Sequence, residues 1–174
     1  MAYKDLLGPD GTENNMGGTA QIVYYAKVSE IQTYAAPAQN ATNPYVHTQP
    51  FVMKTGKKFY QLYTTLDTSQ LDYGEVGEFD GKSFKPELKM FYPGLTEDWV
   101  QFINDAKNDK FVFIVPLPDG KMIQIGTDKF FAYVMGLPKT GLVSGRGKGS
   151  ELTVMSYQPN ILIYAAAVPL TAAA

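Results

Sequence analysis

Residues 79–126 read FDGKSFKPELKMFYPGLTEDWVQFINDAKNDKFVFIVPLPDGKMIQIG, and the order of signals within them decides the fold. Residues 83–92 alternate with period two, Phe84, Leu88, Met90 and Tyr92 against Lys85, Glu87 and Lys89, which predicts a strand. Pro93-Gly94 stops it. Thr96 can cap a helix by accepting from an otherwise unpaired N–H, and Glu97 and Asp98 suit the positive end of the helix dipole. Trp99, Phe102, Ile103 and Ala106 then recur at helical spacing, which predicts a helix over about 96–107 with one face to bury. Phe111, Val112, Phe113, Ile114 and Val115 form a continuous apolar run, and Leu117-Pro118-Asp119-Gly120-Lys121 supplies hairpin chemistry before Met122-Ile123-Gln124-Ile125. A run apolar on both faces is a strand covered on both sides. The expected covers are a sandwich core on one face and the Trp99 helix on the other.

Outward from this unit, residues 1–20 hold GPDGTENNMGG and read as an extended, flexible arm. Residues 21–31 (QIVYYAKVSEI) read as a strand with apolar weight on both faces. A long loop is expected over about 33–57, because the prolines and small polar residues of 33–50 hold neither a helix nor an interior strand. Loops of that length are usually functional or ordered by a partner. Lys54, Lys57 and Lys58 make a basic turn, residues 59–65 resume an extended pattern, and Asp67, Asp72, Glu75, Glu78 and Asp80 form an acidic segment. Further strands are expected at 129–135, 150–157 and 161–168, with Gly136-Leu137-Pro138 and a glycine-rich loop at 141–149 between the first two. Residues 169–174 read as a short C-terminal tail. The expectation is a mainly β chain, an antiparallel β-sandwich or barrel with one flanking helix, forming a single domain over 21–168.

Composition narrows the function. Of 174 residues, 45% are hydrophobic and only 18% charged, below the quarter or so typical of soluble domains, which implies that much of the exterior meets other protein. The formal net charge of -2 argues against a dedicated nucleic-acid binder. Absence of cysteine excludes thiolate chemistry, thiolate metal sites and disulfides. No apolar segment has the length of a signal peptide core or a membrane span, so synthesis and retention on the cytoplasmic side are expected.

The motifs that carry chemistry fail on spacing. In GLVSGRGKGS a phosphate-binding loop needs glycine where Leu142 stands and Ser or Thr where Gly149 stands. The dinucleotide fingerprint needs glycine where Ser150 stands. His47 is the single histidine and lies in the proline-rich loop, so a Ser-His-Asp triad has no supported base. The acidic segment lacks calcium-loop spacing, and no metal or cofactor is expected. Asn40-Ala41-Thr42 fits the glycosylation pattern by chance, without an export signal. Trp99 is in phase with its helix's apolar face and belongs to the core with Phe102, Ile103, Phe111, Phe113 and Val115 rather than to a sugar platform. Tyr24, Tyr25, Tyr34 and Tyr45 suit subunit contacts.

Taken together, an arm, a strand, a long loop, GKSFKPELKMFYPG, the helix TEDWVQFINDAKN, the hairpin FVFIVPLPDGKMIQIG, a glycine-rich loop and closing strands ending SELTVMSYQPNILIYAA resemble the tail tube proteins of tailed bacteriophages over residues 21–168. The resemblance implies a homo-hexameric ring, with rings stacked into a conduit for DNA in the virion tail. Related folds serve in contractile injection tubes and in single-ring tail terminator or connector proteins. It further implies no catalysis, no cofactor, and as partners other copies, other tail proteins and passing DNA bound without sequence preference. Strands of neighbours would close a ring-wide barrel, and the arm and the 33–58 loop would reach adjacent rings. Subunit contacts are then expected at Lys54, Lys57, Lys58, Asp72, Glu75, Glu78, Arg146 and Lys148, with the acidic segment lining the lumen or pairing with the lysines of an adjacent ring. A monomeric carbohydrate-binding β-sandwich and a β-rich enzyme are the rival classes.

Overall fold

The computed structural model describes residues 5, 8–38, 41–145 and 147–174. Its strands in chain order are β1 (Ile22–Lys27), β2 (Ile31–Thr33), β3 (Val46–His47), β4 (Val52–Met53), β5 (Tyr60–Tyr63), β6 (Gln70–Val76), β7 (Ser83–Pro93), β8 (Phe111–Pro116), β9 (Met122–Ile125), β10 (Tyr133–Lys139), β11 (Gly149–Met155) and β12 (Leu162–Tyr164). The helix α1 spans Glu97–Ala106 between β7 and β8. The chain is mainly β and its sheets stay open.

Two sheets make the sandwich. One has the order β10-β11-β7-β6, the other β3-β12-β9-β8-β1-β5. Between them lies a core in which Leu88, Met90, Val134, Leu152 and Val154 from the first meet Val23, Leu62, Phe111, Phe113, Val115 and Ile125 from the second. Alternation along β7 buries Leu88 and Met90 and leaves Lys89 exposed, as period two requires. Pro86 sits within this central strand. Ser156 N–H donates to Pro86 O at 3.3 Å, but proline has no N–H to return, and pairing resumes at Phe84 and Gln158.

Helix α1 starts as its sequence dictates, with the Thr96 hydroxyl accepting from Trp99 N–H at 3.3 Å. Its position differs from expectation. Trp99 and Ala106 join the same core as Phe111 and Phe113, and Phe102 and Ile103 pack against it, so α1 closes the margin of the inter-sheet layer. The opposite face of β8, carrying Val112 and Ile114, is covered by Phe51, Met53, Phe59, Tyr164 and Ala166, with Tyr34, Ile31 and Val168 around them. The long loop is therefore part of the fold. It contains β3, which pairs parallel with β12, and β4, which pairs with β2. One apolar cluster on each side excludes water from β8 on both faces, which is why all of Phe111–Val115 is buried.

Three further corrections concern boundaries. The 21–31 segment breaks after β1 into one 3-10 turn, Val28–Glu30, before β2. The acidic segment contains a strand, β6, which the sequence reading leaves out. The strand expected at 129–135 lies instead at Tyr133–Lys139, so Gly136 and Pro138 are strand residues. Gly136 is there for close approach, since a Cβ would lie 2.9 Å from Ile103 Cδ1 of α1. Pro138 is tolerated because β10 is an edge. The C-terminal tail is tied down: Phe59 N–H donates to Pro169 O at 2.8 Å, Gly56 N–H to Ala173 O at 2.8 Å, and Ala173 N–H to Lys57 O at 3.0 Å.

Candidate assembly surface

β6 and β10 are the two outer strands of the four-stranded sheet, and among the described residues no strand pairs with the outer side of either. An unpaired edge exposes a row of N–H and C=O groups that a second chain can complete. β10 is antiparallel to β11, β11 to β7, and β7 to β6, so β10 and β6 run in opposite directions. Copies related by rotation about an axis along the strands would set β10 of one beside β6 of the next as an antiparallel pair.

The face of this sheet turned away from the core mixes apolar side chains with charges that balance one another. Register places Asp72, Glu87, Met155 and Tyr133 in one row, Gln70, Lys89, Thr153 and Met135 in the next, and Phe91, Glu151 and Leu137 beyond them. Glu87 meets two lysines, Lys89 Nζ at 3.1 Å and Lys85 Nζ at 3.7 Å, and Glu151 meets Lys139 Nζ at 2.6 Å. Lys85 and Lys89 thus share one carboxylate, Glu87, and Lys139 has its own, Glu151. Gln70 Nε2 donates to Asp72 Oδ1 at 2.9 Å, and Glu75 pairs with Lys82 at 3.1 Å at the strand's end. Tyr73, on the core side of β6, is raised in pKa by burial and stays neutral.

The expected contact residues are only partly brought together. Lys57 pairs with Glu30 of the same chain at 2.8 Å, which raises its pKa, so it is already engaged. Lys58 Nζ lies 6.0 Å from the Tyr60 ring centroid, and Lys54 is exposed. This basic turn is anchored to the C-terminal tail on the far face of the six-stranded sheet, away from Asp72, Glu75 and Glu78. Among the described residues the two groups do not pair with each other, and Lys57, already held by Glu30, is a poor candidate for a neighbour's acid. Lys148 is exposed beside Pro93-Gly94, its carbonyl accepting from Gly94 N–H at 2.9 Å. Arg146 lies outside the described residues. Of the tyrosines, Tyr24, Tyr25 and Tyr34 are half-buried in the two cores, which leaves Tyr45 among those expected to meet a partner.

His47 occupies a built position. It is buried against Tyr34, Phe51 and Tyr164, with ring centroids 4.7–5.4 Å away. Its Nδ1 faces Gln124 Oε1 at 3.1 Å, while Gln124 Nε2 donates to Tyr34 Oη and to Gly126 O. With the amide hydrogens so used, Gln124 Oε1 accepts, and the imidazole proton sits on Nδ1. Burial lowers the His47 pKa, so the ring is neutral. Gln158 extends the network, accepting from Gly126 N–H at 3.0 Å and donating to Asn160 O at 2.8 Å. Among the described residues no hydroxyl or carboxylate side chain bonds the ring. The arrangement stitches the proline-rich segment to β9 and to the turn before β12. Above it opens a cleft of about 690 Å³ lined by Tyr34, Tyr45, Asp128, Phe130, Asn160 and Leu162, among others.

Exposed aromatics come from separate places, Tyr45 in the long loop, Tyr63 on β5, Phe79 after β6, Phe130 before β10 and Tyr157 after β11, and so form no flat row on one strand. Among the described residues no group of three or more His, Cys, Asp or Glu side chains could hold a metal ion. Among them also, no helix is long and apolar enough to cross a membrane. Sequence reasoning missed β6 and β10 as sheet edges because each mixes polar or breaking residues into its alternation; Leu71 and Tyr73 were the available signal. Comparison with protein-family models, with curated proteins and with solved structures gives no match.

Proposed function

We propose that this protein is a bacteriophage tail tube subunit that builds a ring of six copies by joining its four-stranded sheet edge to edge, and that the rings stack into a passive conduit for DNA. The observation that supports this best is the pairing potential of β6 and β10, two unpartnered edges of opposite direction on one sheet. A cyclic array of such sheets leaves no free edge, which is how natural proteins abolish the hazard of open strands.

The chemistry of the outer face fits a lumen. Free lysines or arginines would bind phosphates by releasing counterions and hold DNA in place. Here Lys85, Lys89 and Lys139 are already paired with Glu87 and Glu151, and Asp72 adds negative charge. DNA would pass without sequence-specific contacts. The role is structural rather than catalytic, the other partners are tail proteins, and the site of action is the virion tail.

Negative-stain electron microscopy of the purified protein tests the reading. Stacked rings are the expected result. Isolated rings would assign the chain to a terminator or connector instead, and dispersed monomers would reject both.

A further inference from the structure

The hydrogen-bond alternation of the four-stranded sheet fixes which backbone groups its outer strands offer. Phe84 and Gln158 exchange bonds of 2.8 and 2.9 Å, and Gly94 N–H donates to Lys148 O at 2.9 Å, both in the register that pairs β7 with β11. Even-numbered residues of β7 therefore bond β11 and odd-numbered ones bond β6. Gln70, Asp72, Gly74 and Val76 return those bonds, so the N–H and C=O groups of Leu71, Tyr73 and Glu75 point past the edge. By the same alternation β10 bonds β11 through Tyr133, Met135, Leu137 and Lys139. It offers outward both groups of Val134 and Gly136 and the carbonyl of Pro138. Ala132, next in that outward series, exchanges two bonds of 2.8 Å with Phe111, so the open stretch begins after it.

Both strands are seven residues long. A slip of one residue would turn outer-face side chains toward the core, so registers compatible with a common face differ by two. Full overlap sets Val76 beside Tyr133, Gly74 beside Met135, Asp72 beside Leu137 and Gln70 beside Lys139. It brings two stops together: Gly77, whose positive φ begins the turn out of β6, faces Ala132, whose N–H and C=O are taken. It also matches size, with Gly136 opposite Tyr73 on the core side and Gly74 opposite Met135 on the outer one. Sliding one way puts Glu75 against Ala132, where no group is open. Sliding the other pairs only residues 72–76 with 135–139. That register sets Asp72 opposite Lys139, but Lys139 is already held by Glu151 at 2.6 Å.

We infer that neighbouring copies meet in this full-overlap register, Val134, Gly136 and Pro138 of one forming the ladder with Glu75, Tyr73 and Leu71 of the next. The inference rests on the ring reading and deepens it by naming the residues that pair. Pro138 supplies no N–H, so Leu71 O is the one ladder carbonyl left without a donor. Two β10 edges paired with each other would lose a donor at each Pro138, and two β6 edges paired with each other would leave both β10 edges open. The unlike pair is the one that satisfies both edges in every copy.

Because the chain has no cysteine, introduced pairs report this contact without background. Opposed residues that are not hydrogen-bonded lie about 4.5 Å apart at Cα, within disulfide range, whereas diagonal neighbours at about 7–8 Å are not. The full-length chain carrying Gly74→Cys and Met135→Cys tests the register, and position 74 has no atom within 4 Å of an added Cβ. Asp72→Cys with Leu137→Cys is a second pair in the same register. Gly74→Cys with Tyr133→Cys, or with Leu137→Cys, reports the two slipped registers. After mild oxidation, denaturing gels should show a ladder of covalent oligomers, collapsed by reductant, for the first two pairs, and monomer for the slipped pairs and for each single variant. Cross-linking through a slipped pair instead would overturn the register and leave the ring standing. Single variants that dimerise as fully as the pairs would overturn it by showing that like edges meet. Rings seen by electron microscopy with no pair cross-linked would overturn the edge contact itself. Wild-type protein that forms no rings would overturn both this inference and the ring reading.

Discussion

Trp99 shows how one side chain joins local sequence to tertiary structure. Its ring stacks on Tyr92 at 3.9 Å between centroids and 10° between planes, and its Nε1–H donates to Ser150 Oγ at 2.7 Å. Trp99→Ala would open a cavity between α1 and the four-stranded sheet and should cost about 3–5 kcal/mol in urea denaturation; a loss below 1 kcal/mol would contradict the packing described. The helical phase of Trp99, Phe102, Ile103 and Ala106 was legible in sequence, but periodicity shows only that a face is buried, not against which sheet. His47 was illegible for the complementary reason. Its surroundings, Tyr34, Phe51, Gln124 and Tyr164, converge from four parts of the chain. Because burial depresses its pKa below the usual 6.5, the stability from the neutral ring is fully present above that value and is lost as pH falls through the folded-state pKa. His47→Phe gives up the bond to Gln124 at every pH but removes the titration. Urea unfolding at pH 7.5 and 5.5 should show wild type losing stability that the variant keeps, and parallel losses would refute the assignment.

Among the elements, the edge strands were hardest to read and matter most. β6 carries Leu71 and Tyr73 on its inward face and Asp72 and Gly74 on its outer one, and Glu75 at the open end of the inward face interrupts the apolar alternation. β10 holds Gly136 and Pro138, which resemble breakers until the approach of Ile103 and the open edge are known. By contrast, β8 announces itself, since burial on both faces demands an unbroken apolar run. The termini differ as elements too. Deleting residues 170–174 removes the bonds of Ala173 to Gly56 and Lys57 and should lower stability by roughly 1–3 kcal/mol, with faster amide exchange at Gly56. Deleting residues 1–13 should leave the thermal midpoint unchanged within a degree or two, because the side-chain bonds of Asp10, Thr12 and Glu13 stay within that segment. Equal melting losses in the two deletions would contradict this division.

At the scale of the molecule, the chain combines a closed core with open margins. Both faces of the six-stranded sheet are covered, whereas the four-stranded sheet has an outer face of mixed apolar and balanced charged side chains and, among the described residues, two edges without a strand partner. A low charge fraction raises the expectation of partner contact, but which surface would make it depends on strand order, a non-local property. Hydrogen exchange is the most direct probe of the claim that β6 and β10 complete each other between subunits, comparing the protein in its associated form with protein dissociated by dilution. The account predicts that outward amides in Gln70–Val76 and Tyr133–Lys139 slow together on association while those of β8 stay protected in both states. Unchanged exchange along both edges, or slowing confined to one of them, would contradict it.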